Sequence, residues 1–287
     1  MLLWFRNDLR THDNPALHYF LNQNGTKAAS KAIFFICEQQ WQQHDWSPIK
    51  IDFIKRHADA LVKELALLNI QLELIELDDF TQQASYLQNY CKQHSITEIA
   101  ANSELEFNEQ QRDKSIIASG MPLTLFEADV IVPKGKVLNK SDSMYKVFTP
   151  FKRAWLTYVK QAGFDYLGRV SNTTTQAPSA LTPVSAATKD KQDSQDKKIA
   201  SLSDAWPLST VFEQQVLPKF YQEKISAYKL HRDIPSIKGT SGISPYLAAG
   251  VISPRYVLRL LLNKYPDLLV ASDSEEFSWL NEIIWRE

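Results

Sequence analysis

Cysteine is scarce in this sequence. Only Cys37 and Cys91 occur, too few for a disulfide framework or a cysteine metal site, which points to a reducing, cytoplasmic setting. Long apolar runs are absent too. No stretch reaches the ~18 consecutive apolar residues of a membrane span, and residues 1–10 lack the basic start and apolar core of an export signal. Charge of one sign is also missing. The 32 Lys and Arg nearly cancel the 33 Asp and Glu, so a nucleic-acid partner must meet a local patch rather than a basic domain. Neither Gly-x-Gly-x-x-Gly nor Gly-x-x-x-x-Gly-Lys occurs, which removes the usual support for a dinucleotide-binding turn or a triphosphate loop.

What is present suffices for a core. The 287 residues are 44% hydrophobic and 23% charged, a soluble globular composition over a length beyond the ~150 residues of one domain. Up to about residue 130, short apolar runs alternate with longer amphipathic ones, the pattern of βαβ units around a parallel sheet. Strands are predicted at 2–5, 32–37, 72–77, 97–101 and 123–126, with a further extended segment at 130–132 and helices on both faces of the sheet. Asp13, Asn14 and Pro15 supply an N-cap with proline at the first helical position. Ile51, Ile54, Ala58, Leu61, Leu65 and Leu68 line one face of a helix over 47–70, and further helices are predicted at 80–94 and 109–118.

From 167 to about 203 the sequence turns polar, with a charged run at 189–198, and reads as a surface linker. Beyond it, 212–228, 245–265 and 274–287 show helical spacing. The predicted organisation is an α/β domain over 1–130, a connecting segment and linker over 131–205, and a helical domain over 206–287. Ser272 and Glu275 read as a capping box for the last helix, and Glu287 puts negative charge where the helix dipole disfavours it. That helix meets no stop signal, so the expectation is an N-terminal piece of a longer protein.

Four segments carry candidate chemistry. Trp4-Phe5-Arg6-Asn7-Asp8-Leu9-Arg10, followed by His12-Asp13-Asn14, leads from a strand into a loop at the carboxyl end of the sheet, where such folds bind ligands. The alternative is that Arg and Asp pair to fix the loop. Residues 144–155 interleave cations and aromatics, and 134–169 holds eight Lys or Arg against two acids, a net +6. This is either a solvated basic face or a phosphate-attracting stretch.

Gly239-Thr240-Ser241-Gly242-Ile243-Ser244-Pro245 offers hydroxyls and backbone N–H groups at a helix start. These suit a pyrophosphate or ordinary capping equally. In the last helix Trp279, Glu282 and Arg286 fall at i, i+3 and i+7, with Trp285 three past Glu282, so a carboxylate sits between two indoles. Core packing with a snorkelling cation is the alternative.

Together these segments resemble the photolyase and cryptochrome family, most closely the class I cyclobutane pyrimidine dimer photolyases, over essentially the whole chain. The resemblance implies an α/β antenna domain, a long connection and a helical domain holding FAD. It implies Tyr228, Thr240, Ser241, Gly242, Ile243, Ser244, Trp279 and Arg286 as FAD contacts, and Arg232 as a DNA-phosphate contact. Glu282 and Trp285 resemble the catalytic pair that holds the lesion. Gly242 departs from the family pattern, where Arg or Lys is frequent. Asn108 and Glu109, with His44, match contacts of a methenyltetrahydrofolate antenna.

The implied function is that of a deoxyribodipyrimidine photolyase, a carbon-carbon lyase that repairs pyrimidine dimers in DNA by light-driven electron transfer, as a monomer with no membrane partner. A cryptochrome-type blue-light photoreceptor is the alternative. A stand-alone nucleotide-binding module would leave the second half of the chain without a role. The 287-residue chain by itself is expected to be inactive.

Overall fold

A computed structural model describes residues 1–24, 30–170 and 202–287, so most of the predicted linker lies outside the described residues. Two compact units make up the chain. One comprises Met1–Ala128, Leu167–Leu208 and Ala248–Val251, the other Asp129–Tyr166, Ser209–Leu247 and Ile252–Glu287.

In the first unit β1 (Leu2–Phe5), β2 (Ser30–Ile36), β3 (Ile70–Glu76), β4 (Ile99–Asn102) and β5 (Leu123–Phe126) form one parallel sheet in the order β3-β2-β1-β4-β5. The α/β class and the five parallel strands are those the alternation predicts. Every residue of β1 and β4 is buried, which is why these strands read as short apolar runs rather than alternating ones. β2 and β3 each begin two residues before their predicted starts, because Ser30 pairs with Ile70 and Lys31 with Gln71 through the backbone ladder. Hydropathy does not register those pairs.

Helices α1 (Pro15–Asn24), α2 (Glu38–Gln43), α3 (Pro48–Ala66), α4 (Phe80–Gln93) and α5 (Phe107–Ala118) connect the strands. Right-handed crossovers put α1 and α3 on one face and α4 and α5 on the other. Of the Asp13-Asn14 pair, Asn14 is the cap. Its Oδ1 accepts from Leu17 N at 3.1 Å, while Asp13 turns left-handed with φ 45°. α3 opens as a capped helix should: Ser47 Oγ accepts from Lys50 N at 3.3 Å and Pro48 follows. The six-residue α2 is too short and polar for a periodicity signal, and Trp41 from it stacks on Trp46 at 5.1 Å and 11°.

The strand order reverses between β1 and β4, and the loop after β1 lies at that switch point. It is filled by protein. Arg6 Nη1 donates to both carboxylate oxygens of Asp113 at 2.7 Å. Arg112 bonds Glu104 at 2.6 Å and Asp113 at 2.9 Å, with its guanidinium 4.7 Å from the Trp4 ring. Asp8 accepts instead from Arg6 N at 2.6 Å and Asn102 Nδ2 at 2.5 Å. The loop arginine and acid are therefore structural, as in the alternative reading, but Arg6 pairs with a carboxylate 107 residues away.

Burial holds His12 at a pKa of about 3 and His57 at about 4. Both folded values lie below the usual 6.5, so the unfolded chain binds more protons between the two limits and stability falls as pH falls below 6.5. Each histidine should remove about 2 kcal/mol between pH 7 and 5. Asp8, whose carboxyl burial raises above its usual 3.8, acts in the opposite sense above that value. The urea midpoint of the chain should therefore drop between pH 7 and 5, and His57→Asn should flatten that slope. A pH-independent midpoint would contradict the assignment.

The second unit is helical. It holds α6 (Phe148–Ala162) and a helical lead-in through the π-turn Phe212–Val216 to α7 (Leu217–Glu223). α8 (Tyr228–His231), α9 (Ser244–Ala248), α10 (Pro254–Lys264) and α11 (Phe277–Trp285) complete it. Among the described residues no strand follows β5. Residues 130–132, predicted as extended, pair with no strand. Instead Ile131 N and Val132 N donate to the Glu287 carboxylate at 2.8 and 3.1 Å.

The predicted capping box is also displaced. α11 starts at Phe277, and Ser274 Oγ accepts from Phe277 N at 3.3 Å, so neither Ser272 nor Glu275 caps it. Glu287 escapes the expected dipole penalty because its side chain turns to those two amides and to Trp155 Nε1 at 3.1 Å.

Candidate functional site

The last helix of the second unit gathers the residues the sequence singles out. Trp279 is buried at 2% exposure, with Phe220 at 5.5 Å and Tyr221 at 5.3 Å from its ring. Its Nε1 donates to Ser241 Oγ at 3.3 Å, which ties the helix to the hydroxyl-rich loop. Tyr228 is buried, edge-on to Phe220 at 6.2 Å, and burial raises its phenol pKa.

One turn on from Trp279, Glu282 accepts from Arg232 Nη1. Arg232 also lies 3.5 Å from Asp233 and 5.6 Å over the Tyr228 ring. The Glu282 bond raises the Arg232 pKa, so its charge is permanent. Trp285 stands apart from these, 58% exposed and stacked on Phe148 with ring centroids 3.7 Å apart. Arg286 is bonded to the carbonyl and the carboxylate of Asp129 and reaches Leu247 O at 3.4 Å.

The loop before α9 has the form of an anion cradle. Gly242 is left-handed with φ 68°, a conformation free to glycine and costing a Lys or Arg there roughly 1 kcal/mol. The N–H groups of Thr240, Ser241, Gly242 and Ser244 make no hydrogen bond among the described residues. Ile243 is buried and anchors the loop. Donors without partners on a left-handed turn fit a phosphate group, so the residues present fit the pyrophosphate of FAD.

In the first unit His44 follows β2 as the C-cap of α2, and Asn108 and Glu109 open α5 after β4. The three thus lie at the carboxyl end of the sheet. Burial, with Glu104 and Glu106 nearby, raises the Glu109 carboxyl pKa. Lys50, at the start of α3, interacts electrostatically with Glu106, so the loops after β2 and β4 face one another. The sequence reading gave Asp129 no role and foresaw for Phe148 and Glu287 none of the partners they take. Nothing local marks them, since each acts on a partner more than 100 positions away.

The sequence model of the DNA photolyase family matches residues 1–187, and the chain belongs to that family. It is 36% identical over 296 residues to the deoxyribodipyrimidine photo-lyase of Vibrio cholerae, covering all of this chain and 60% of that one.

Among solved structures, a bacterial class III photolyase from Agrobacterium tumefaciens shares the fold at TM-score 0.67 and 23% identity, over 99% of this chain and 57% of its own. An archaeal photolyase from Sulfolobus tokodaii, described with two FAD molecules, matches at TM-score 0.59 and 18% identity, over 99% of this chain and 57% of its own. The chain thus spans about 60% of the length of the curated relative. No described helix is long and apolar enough to cross a membrane.

Proposed function

We propose that the protein is a deoxyribodipyrimidine photolyase, repairing cyclobutane pyrimidine dimers in DNA by light-driven electron transfer. The observation that carries the reading is the surface of α11, where an exposed indole stacked on Phe148 lies one turn from a carboxylate that is itself bonded to an arginine. A pyrimidine dimer has lost pairing and good stacking, so turning it out of the duplex costs less than turning out an intact pair. The free face of Trp285 would cover the apolar side of the dimer, Glu282 would accept from its ring N–H groups, and Arg232 would take a flanking phosphate.

FAD, when bound in its reduced form, would supply an electron on excitation and recover it, so breaking the two cyclobutane C–C bonds is redox-neutral overall. The chain's share is to hold the pyrophosphate on 240–244, with Tyr228 and Trp279 walling the flavin side, and to keep the lesion dry. Asn108, Glu109 and His44 would hold methenyltetrahydrofolate, with the Glu109 carboxylate accepting from the pterin. Glu282 and Trp285 weigh against the cryptochrome alternative, because light sensing needs no lesion clamp.

The test is dimer splitting under blue light by the protein at the length its gene encodes. Splitting that is lost in Trp285→Ala supports the reading, and flavin binding without any splitting would overturn it.

The Arg232–Glu282 pair gives a further expected outcome. Glu282→Gln should release Arg232 to phosphate, raising affinity for undamaged DNA about threefold at low salt, with the salt slope steeper by about one. In the Arg232→Gln background the same change should do nothing. An equal gain in both backgrounds would show that general charge, not the pair, is responsible.

A further inference from the structure

The Phe148–Trp285 stack lies outside the roles assigned above. The two rings are nearly parallel, at 8°, so Phe148 covers one face of the indole. The 58% of Trp285 left exposed is then its opposite face and its edges. Exposing a large aromatic is ordinary; fixing its plane so firmly is not.

The first two turns of helix α6 are tied to α11 and the residue that ends the chain after it. Lys152 Nζ donates to Asn281 Oδ1 at 3.0 Å, and Trp155 Nε1 donates to Glu287 at 3.1 Å. The Lys152 ammonium lies 5.6 Å from both the Phe148 and Phe277 rings. These ties set the register of the two helices and so the ring separation. Val147, next to Phe148 in the chain, is 62% exposed, and Lys146 before it is exposed too. A flat aromatic platform with a lysine ammonium 5.6 Å from one of its rings is an arrangement that suits an unpaired nucleobase.

We propose that Phe148 is the positioning residue for Trp285. It seals one indole face and holds its plane, so that a turned-out base can stack on the other face only, without first ordering the ring. The inference rests on the photolyase reading. Preorganisation of this kind acts on affinity for the unstacked base and leaves duplex binding alone.

The test compares Phe148→Ala, Phe148→Tyr and Trp285→Ala in the protein at the length its gene encodes, titrated with an oligonucleotide carrying one thymine dimer and with its undamaged twin. Phe148→Ala should lose on the order of tenfold in dimer affinity with undamaged affinity unchanged, and Phe148→Tyr should restore it. In protein labelled with 5-fluorotryptophan, the Trp285 resonance, assigned with Trp285→Phe, should move when Phe148 is replaced by alanine but not by tyrosine.

Loss of preference in Trp285→Ala but not in Phe148→Ala would overturn the inference and leave the reading standing. Equal losses for both oligonucleotides in Phe148→Ala would mark a merely structural role and overturn it too. A parent protein with no preference for the dimer would overturn the reading and the inference together.

Discussion

Gly250→Ala is expected to destabilise the α/β unit by about 4 kcal/mol or more, a large part of the ~5–15 kcal/mol that holds a domain together. The residue is left-handed, with φ 61°, and an added Cβ would lie 1.8 Å from Asn7 O, 2.5 Å from Asn7 C and 2.8 Å from Asp8 Cα. All three are backbone atoms of the loop after β1, and none can swing aside as a side chain would. Retreat of the segment would also break the bond from Arg10 Nη1 to Gly250 O, now 2.8 Å.

Arg10 is buried and spreads its guanidinium over Gly250, Asp13 and Ala128 carbonyls. Losing one acceptor of a buried cation adds about 1.5–3 kcal/mol. Gly120→Ala is the control, because Gly120 is also left-handed but has open space around it, so it should cost only about 1 kcal/mol. Urea unfolding of the two variants would decide. Equal costs would mean that backbone conformation alone matters at position 250.

Asp113→Ala should cost about 3–5 kcal/mol, because it removes the carboxylate that two buried arginines share. Arg6 would keep Glu104, at 3.6 Å, the Asn102 carbonyl and its place 4.8 Å over the Trp4 ring. Arg112 would keep Glu104 and its place over Trp4 and Phe80. Because β1 and β4 lie side by side at the reversal of strand order, a loosened Arg6 frees the loop that carries Asp8 and Asn14. Asp113→Asn, of the same shape, should lose less, since one amide oxygen can still accept. A midpoint for Asp113→Ala within 1 kcal/mol of the parent would show that water enters and solvates the arginines.

Much of the α/β unit was legible because β1, β4 and most of β2 are buried on both faces, and α3 announced itself through Ser47, Pro48 and a 3/4 spacing of apolar residues. α6 was not read as a helix. It begins at Phe148 behind Val147, which forms no side-chain cap bond, and its buried Trp155, Leu156 and Val159 are interleaved with exposed cations. The start of α11 was misplaced for the opposite reason: Ser272 and Glu275 have capping spacing, but Ser274 makes the bond.

By itself the sequence determined the fold class, the parallel strands and the helix on which Trp279, Glu282, Trp285 and Arg286 share a period. Those features are local, set by how often apolar and capping residues recur over a few turns. Only the tertiary structure decided that Arg6 answers Asp113, Arg232 answers Glu282, Arg286 answers Asp129 and Phe148 covers Trp285. The partners in these pairs lie 107, 50, 157 and 137 positions apart. Over such separations a charge or a ring has many equally suitable partners along the chain, and packing selects one of them.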